Sequence, residues 1–163
     1  MAEELQIPTS ENREEIYRSL IPQLETLIGD EKDDVAIMSN IAAALRQTFG
    51  FFWIGFYVVK NDELVLGPFQ GDVACFRIQK GKGVCGTAWE KGETIIVADV
   101  DVFPGHIACS SASRSEIVVP IFRNGKVAAI LDVDSNRLND FSAADQVGLQ
   151  QIAELCSNYL NTQ

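Results

Sequence analysis

Three of the four cysteines, the only histidine and a group of carboxylates fall between positions 75 and 135 of a 163-residue chain. Within that stretch Pro104-Gly105 marks a turn that brings His106 within three residues of Cys109, and Glu116 follows seven residues later at the start of an apolar run. A thiol near an imidazole is a nucleophile pattern, because an adjacent imidazolium favours the thiolate. Cys85 lies between Gly83 and Gly86 at the expected start of a short helix, where free backbone amides act in the same direction. The spacings of 10 and 24 along Cys75, Cys85 and Cys109 match none of the paired CxxC patterns of structural zinc. Taken singly, each of these thiols is more often a buried small hydrophobe than a nucleophile. Cys156, on the apolar stripe of the last helix, fits that description.

Asp132 and Asp134 are two apart on an expected strand, so both leave one face of the sheet while Leu131 and Val133 leave the other. Whether Glu116 joins them depends on the turn between. A two-residue Asn124-Gly125 loop would put Glu116 opposite Val133, on the wrong face. A three-residue loop, Arg123-Asn124-Gly125, would put it opposite Asp132, and it is favoured because these residues suit a type I turn closed by a left-handed glycine. Three converging acids would repel one another, raise the pKa of one, and leave a general acid protonated near neutral pH. The competing readings of an Asp-x-Asp pair are solvated or ion-paired surface acids, and a divalent-cation site.

The elements that must position these groups follow from periodicity. After Ser10 as an N-cap, apolar residues recur at Ile16, Leu20, Leu24, Leu27 and Ile28, a helix ending at Gly29 that Pro22 is expected to kink or divide. This helix is expected to pack on the body of the domain or on a second subunit. Asp30 is read as the cap of a second helix with Val35, Met38, Ile41, Ala42 and Leu45 on its apolar face and Gly50 as its stop. Strands are expected at 51–59, 63–69, 75–78, 94–98, 115–122 and 126–134, with a short helix at 84–91 and an irregular stretch at 99–113. A stretch of that length without periodicity is usually functional. Ser142 with Asp145 opens a last helix whose apolar face is Leu149, Ile152, Ala153, Cys156, Tyr159 and Leu160. The order α-α-β-β-β-α-β-β-β-α argues for an α+β fold in one domain, 1–163, with a central antiparallel sheet and helices on one face.

Composition narrows the function. Twenty-three acids against thirteen Lys and Arg give a net charge of -10, which repels phosphate backbones and anionic lipid, so neither nucleic acid nor membrane is an expected partner. No apolar run approaches the roughly 18 residues of a membrane span, and no targeting segment is visible. The expected address is the cytoplasm, where thiols are kept reduced and open to chemistry.

The blocks Gly81-Lys82-Gly83-Val84-Cys85-Gly86-Thr87-Ala88, Asp99-Val100, Phe103-Pro104-Gly105-His106-Ile107-Ala108-Cys109, Ser113-x-Ser115-Glu116-Ile117-Val118-Val119-Pro120 and Leu131-Asp132-Val133-Asp134-Ser135 together closely resemble the free methionine-R-sulfoxide reductases, which are stand-alone GAF domains. Ser110 stands where many members have Asp. The resemblance implies a six-stranded antiparallel sheet flanked by N-terminal and C-terminal helices, often in a homodimer, with a small pocket that takes free methionine sulfoxide and not a peptide. It implies that Cys109 is the nucleophile, Cys75 the principal resolving thiol and Cys85 a third thiol able to enter a disulfide. It further assigns Glu116, Asp132 and Asp134 to the substrate amino group and sulfoxide oxygen, and Trp53 and Tyr57 to the wall around the thioether. No metal or organic cofactor is implied, and thioredoxin or an equivalent dithiol is the implied reductant. On this reading His106 supports the loop rather than acting as a base. The competing function is a ligand-sensing GAF module without turnover, which has no need of three cysteines; a metal-dependent hydrolase built on Asp132, Asp134 and His106 lacks a full ligand set.

Overall fold

The computed structural model describes residues 4–159. Helices α1 (Arg13–Ile28) and α2 (Asp34–Phe49) precede strands β1 (Trp53–Lys60), β2 (Glu63–Gln70) and β3 (Arg77–Gln79). Helix α3 (Gly83–Lys91), strand β4 (Ile95–Val97), a 3-10 turn (Val100–Val102), strands β5 (Ser115–Arg123) and β6 (Lys126–Ser135), and helix α4 (Ala143–Tyr159) complete the chain. The six strands form one antiparallel sheet in the order β3-β2-β1-β6-β5-β4, with β1 and β6 at its centre. This is the expected α+β architecture and element order.

The expectation that all helices bank on one face needs correction. Leu24 of α1, Ile41 and Leu45 of α2, and Leu149 and Ile152 of α4 pack with Ile54, Phe56, Ile117, Leu131 and Val133 on one side of the sheet. Helix α3 covers the other side, where Val84, Cys85, Ala88 and Trp89 pack with Trp53, Tyr57, Val118 and Ile130. The reason is written in the strands: the first five residues of β1 and the first seven of β5 are buried without alternation, so both faces need an apolar cover. Because β3 and β4 lie at opposite edges of the sheet, the segment joining them, α3 included, must cross that second face.

Local details also differ from expectation. Asn12, not Ser10, caps α1 by accepting from the Glu15 amide, and Ser10 instead accepts from the Asn12 amide and donates to Glu15. Pro22 does not divide α1, since the carbonyl it deprives of a donor belongs to exposed Arg18, where water can serve. Asp33 rather than Asp30 caps α2, and Ile37 takes the core place expected of Val35, which is exposed. On α4, Leu149, Ile152, Ala153 and Cys156 are buried as expected, whereas Leu160 and the Tyr159 side chain lie outside the described residues. Burial pushes the Cys156 thiol up to about 12, which makes it an inert core residue. Fully buried Asp145 accepts from Arg13, Tyr17 and the Ser142 amide, and so clamps α1 to the start of α4. Among the described residues no helix is long and apolar enough to cross a membrane.

Gly86 sets how closely α3 approaches the sheet. A Cβ there would fall 2.4 Å from the Gln79 carbonyl oxygen, a backbone atom that cannot swing away. Gly86→Ala is therefore expected to destabilise the protein by about 1–3 kcal/mol, as overpacking does. It should also displace neighbouring Cys85. Chemical denaturation measures the first effect, and a stability equal to wild type would remove this contact as a constraint.

Candidate active site

The hairpin of β5 and β6 decides which side chains meet. Arg123 pairs with Lys126, so the loop is Asn124-Gly125 alone, with φ of 52° and 75°. Two positive φ values make it a type I′ turn, and the favoured three-residue loop is not formed. By itself this turn would put Glu116 opposite Val133. One step into the ladder, however, the partner of Phe122 is Val127 while that of Ile121 is Ala129, which leaves Ala128 as an extra residue. This β-bulge shifts the register by one and restores the face. Glu116 pairs with Asp134, and Val118 with Asp132, so the acids do converge, two positions away from the expected pairing.

The adjoining strand β1 brings the aromatic residues to the same face, with Trp53 opposite Asp134 and Gly55 opposite Asp132. A side chain at Gly55 would collide with the Trp53 ring and Phe69, so the missing Cβ leaves room for the indole, which stacks on Phe69 at 5.3 Å. Trp53 Nε1 donates to the Asp72 carbonyl at 3.0 Å, and the Tyr57 hydroxyl donates to the Cys75 carbonyl at 2.9 Å. Burial raises the Tyr57 phenol well above its usual range, which keeps it a donor. Both aromatic residues thus hold the segment that carries Cys75.

Cys75 is not on a strand. Only Arg77–Gln79 form β3, and Cys75 lies in the preceding irregular segment beside exposed Val73 and Phe76. Freed from a ladder, its side chain turns to the irregular stretch before β5, where it forms a disulfide with Cys109 across a Cα separation of 5.5 Å. Both cysteines are half-buried. The third thiol, Cys85, is buried on the first turn of α3 and donates to Glu116 Oε1 at 3.8 Å.

One pocket gathers Cys109, Cys85, Glu116, Asp132, Asp134, Trp53 and Tyr57, and Cys75 reaches it through the disulfide. His106 also lines it, with Nε2 4.0 Å from Glu116 Oε2. Sequence reasoning passed over Ser113, whose hydroxyl donates to Asp134 Oδ1 at 2.8 Å. It also passed over Ile107 and the start of α3 at Lys82 and Gly83 as pocket walls. The only signal for Ser113 was its place in the Ser113-x-Ser115-Glu116 block.

The electrostatics are those of acids forced together. Burial, followed by repulsion from Asp132 and Asp134, lifts Glu116 well above the ordinary carboxylate range. Asp134 is lifted by burial and by Asp132, against the opposing bond from Ser113, and Asp132 is raised by burial. The Cys85 thiol is raised by burial and by all three acids, so it is no thiolate. Asp132 Oδ1 is buried without a hydrogen-bond donor among the described residues. Ligating atoms of Cys85, Glu116 and Asp132 lie within 4.8 Å of one another, close enough to share a cation. The arrangement offers a redox-active thiol pair beside protonated acids in a pocket that attracts positive charge.

Comparison with known proteins agrees with this chemistry. The GAF domain family matches residues 31–161. GAF domain-containing protein A of Dictyostelium discoideum is 52% identical over 159 residues, 97% of this chain and 100% of that one. The free methionine-R-sulfoxide reductase of Escherichia coli is 40% identical over 152 residues, 93% of this chain and 92% of that one. Among solved structures, the free methionine-R-sulfoxide reductase of Neisseria meningitidis in complex with its substrate superposes with a TM-score of 0.94 at 48% identity, covering 97% of this chain and 95% of that one. With a matching domain over most of its length and relatives of this kind over nearly all of it, the chain belongs to the GAF-domain family and, within it, to the free methionine-R-sulfoxide reductases.

Proposed function

We propose that this protein reduces free L-methionine-(R)-sulfoxide to L-methionine, with Cys109 as the nucleophile and Cys75 as the resolving thiol. The observation that carries the reading is the Cys75–Cys109 disulfide at a pocket lined by three acids. In the reduced protein the Cys109 thiolate attacks the sulfoxide sulfur while Glu116, kept protonated by its surroundings, gives its proton to the sulfoxide oxygen. The hydroxyl then passes to the Cys109 sulfur as the substrate's sulfur–oxygen bond and the new sulfur–sulfur bond both break, so that methionine leaves as the thioether and Cys109 is left as a sulfenic acid. The Cys75 thiol condenses with it, releasing water and closing the disulfide. An external dithiol, thioredoxin or its equivalent, then reduces that bond by exchange.

Substrate selection follows from charge. The ammonium of a free amino acid meets Asp132 and Asp134, and the unpaired Asp132 Oδ1 accepts from it. A residue within a peptide has no such cation. Trp53 and Tyr57 bound the thioether end, and the first amides of α3 with Lys82 face the substrate carboxylate. Cys85 stays in reserve, since its buried thiol bonds Glu116 and not either partner of the disulfide. The whole chain then works as one domain in a thiol-reducing compartment such as the cytoplasm, as a homodimer that light scattering would register.

The purified protein with dithiothreitol is expected to convert the free R epimer and to leave the S epimer and peptide-bound sulfoxide untouched. Chiral chromatography of the products decides it. Equal rates on the two epimers would overturn the assignment.

A further inference from the structure

We propose that Cys85, Glu116 and Asp132 form a binding site for a thiophilic divalent cation of the Zn²⁺ class, and that its occupancy reversibly inhibits the enzyme. The three donors come from different elements, α3, β5 and β6, and all three residues are buried. Their ligating atoms lie within 4.8 Å of one another, with Cys85 Sγ and Glu116 Oε1 at 3.8 Å. With Zn–S near 2.3 Å and Zn–O near 2.0 Å, that 3.8 Å separation subtends roughly 120° at a shared ion, close to tetrahedral.

A further observation points to a ligand. Asp132 is 6% exposed, lines the pocket, and has Oδ1 with no donor among the described residues. His106 lines the same pocket but stands outside this three-donor group, which leaves the fourth position of a tetrahedral ion to water. A hard cation such as Mg²⁺ or Ca²⁺ gains nothing from sulfur, so the thiolate in the donor set selects Zn²⁺, Cd²⁺ and Co²⁺. Coordination displaces the protons of the Cys85 thiol and the Glu116 carboxyl to solvent, leaving thiolate and carboxylate ligands; no electron moves. The bound ion then takes Asp132, one of the two acids that would meet the substrate ammonium. Its charge repels that ammonium, and its ligands include the proton donor Glu116. The inhibition clause rests on the substrate reading given above, whereas the binding clause does not.

The oxidised protein isolates the site, because the Cys75–Cys109 bond removes those two thiols from competition and Cys156 lies in the core on the far face of the sheet. Co²⁺ added to it is expected to bind with one ion per subunit and a thiolate-to-cobalt charge-transfer absorption. Zn²⁺ or Cd²⁺ should displace the cobalt, and Mg²⁺ or Ca²⁺ should not. Cys85→Ser should abolish the band, Cys156→Ser should keep it, and Asp132→Asn should weaken binding at least about tenfold, since loss of even an outer-shell partner of a ligand costs that much. A missing band in the wild type, or a band that survives Cys85→Ser or disappears in Cys156→Ser, overturns the site. If Cys85→Ser fails to fold, the Asp132→Asn and Cys156→Ser arms still decide. Free methionine should compete with the cobalt. A band that methionine leaves unchanged overturns the inhibition clause while the binding site stands, and separates that failure from any failure of turnover.

Discussion

Cys109→Ser should lose turnover by on the order of 10³-fold or more, the scale seen when an enzyme's nucleophile is removed. Cys75→Ser should behave differently. It retains the attacking thiol, so with thioredoxin it should release a single equivalent of methionine per subunit and then stall as a sulfenic acid that dimedone traps. The difference follows from the pairing: Cys109 is joined to Cys75, while Cys85 is held in the pocket floor against Glu116. A quantified burst of methionine from each variant, with mass spectrometry of the trapped adduct, separates the roles. Continued multiple turnover in Cys109→Ser would move the nucleophile elsewhere, and thioredoxin-supported turnover in Cys75→Ser at the wild-type rate would pass the resolving role to Cys85.

Glu116→Gln should produce the second large effect, in opposite directions for activity and stability. Loss of the proton donor should lower kcat by about 10²–10⁴-fold. At neutral pH the same change removes a buried acid that must take up a proton on folding, and it should stabilise the fold by about 1 kcal/mol, read as a Tm rise of roughly 2–4 °C. The sign follows from linkage. Burial raises the folded-state pKa values of Glu116, Asp132 and Asp134, so the folded protein keeps protons that the unfolded chain has shed. Their contribution is most favourable in acid and declines as pH rises from the ordinary carboxylate range through the raised values. Tm measured against pH should show that decline in the wild type and less of it in the variant. Activity should follow a bell: the ammonium loses its anionic partners on the acid side, and the donor loses its proton on the alkaline side. A Glu116→Gln enzyme with unchanged kcat would remove the residue from proton transfer.

Much of this was legible in the residues. The order of elements followed from helical spacing in α1, α2 and α4 and from the β-branched and aromatic runs of β1, β5 and β6. What misled was information carried by partners distant in sequence. The alternation of Asp132 and Asp134 showed that they share a face, yet the position of Glu116 depended on Ala128 being squeezed out of the ladder. Alanine in a strand gives no local sign of a bulge. The type I′ turn at Asn124-Gly125 was the stronger local signal, and the three-residue alternative reached the correct face through the wrong loop. The expected strand at 75–78 begins two residues too early, since the ladder starts only at Arg77 and Phe76 is exposed. The placement of α3 on the far face follows from strands buried on both sides, a pattern carried by the unbroken buried run of β5. The roles attached to the thiols came from the resemblance, since spacing alone matched no known cysteine pattern.

The bond between Cys75 and Cys109 closes a loop that contains β3, α3 and β4, the whole layer roofing the pocket. On the proposed mechanism each catalytic cycle ties and unties that roof. Closing a loop across a separation of 34 residues restricts the unfolded chain by about 3–4 kcal/mol in the chain-entropy account. The enzyme alternates between a stapled form that has finished its chemistry and an open form that is ready for it, and the ready form is the more fragile of the two. Substrate, by driving the enzyme toward the stapled form, shields it from proteolysis and heat. A cell short of reductant would accumulate a durable but idle population, held for the moment when dithiol returns.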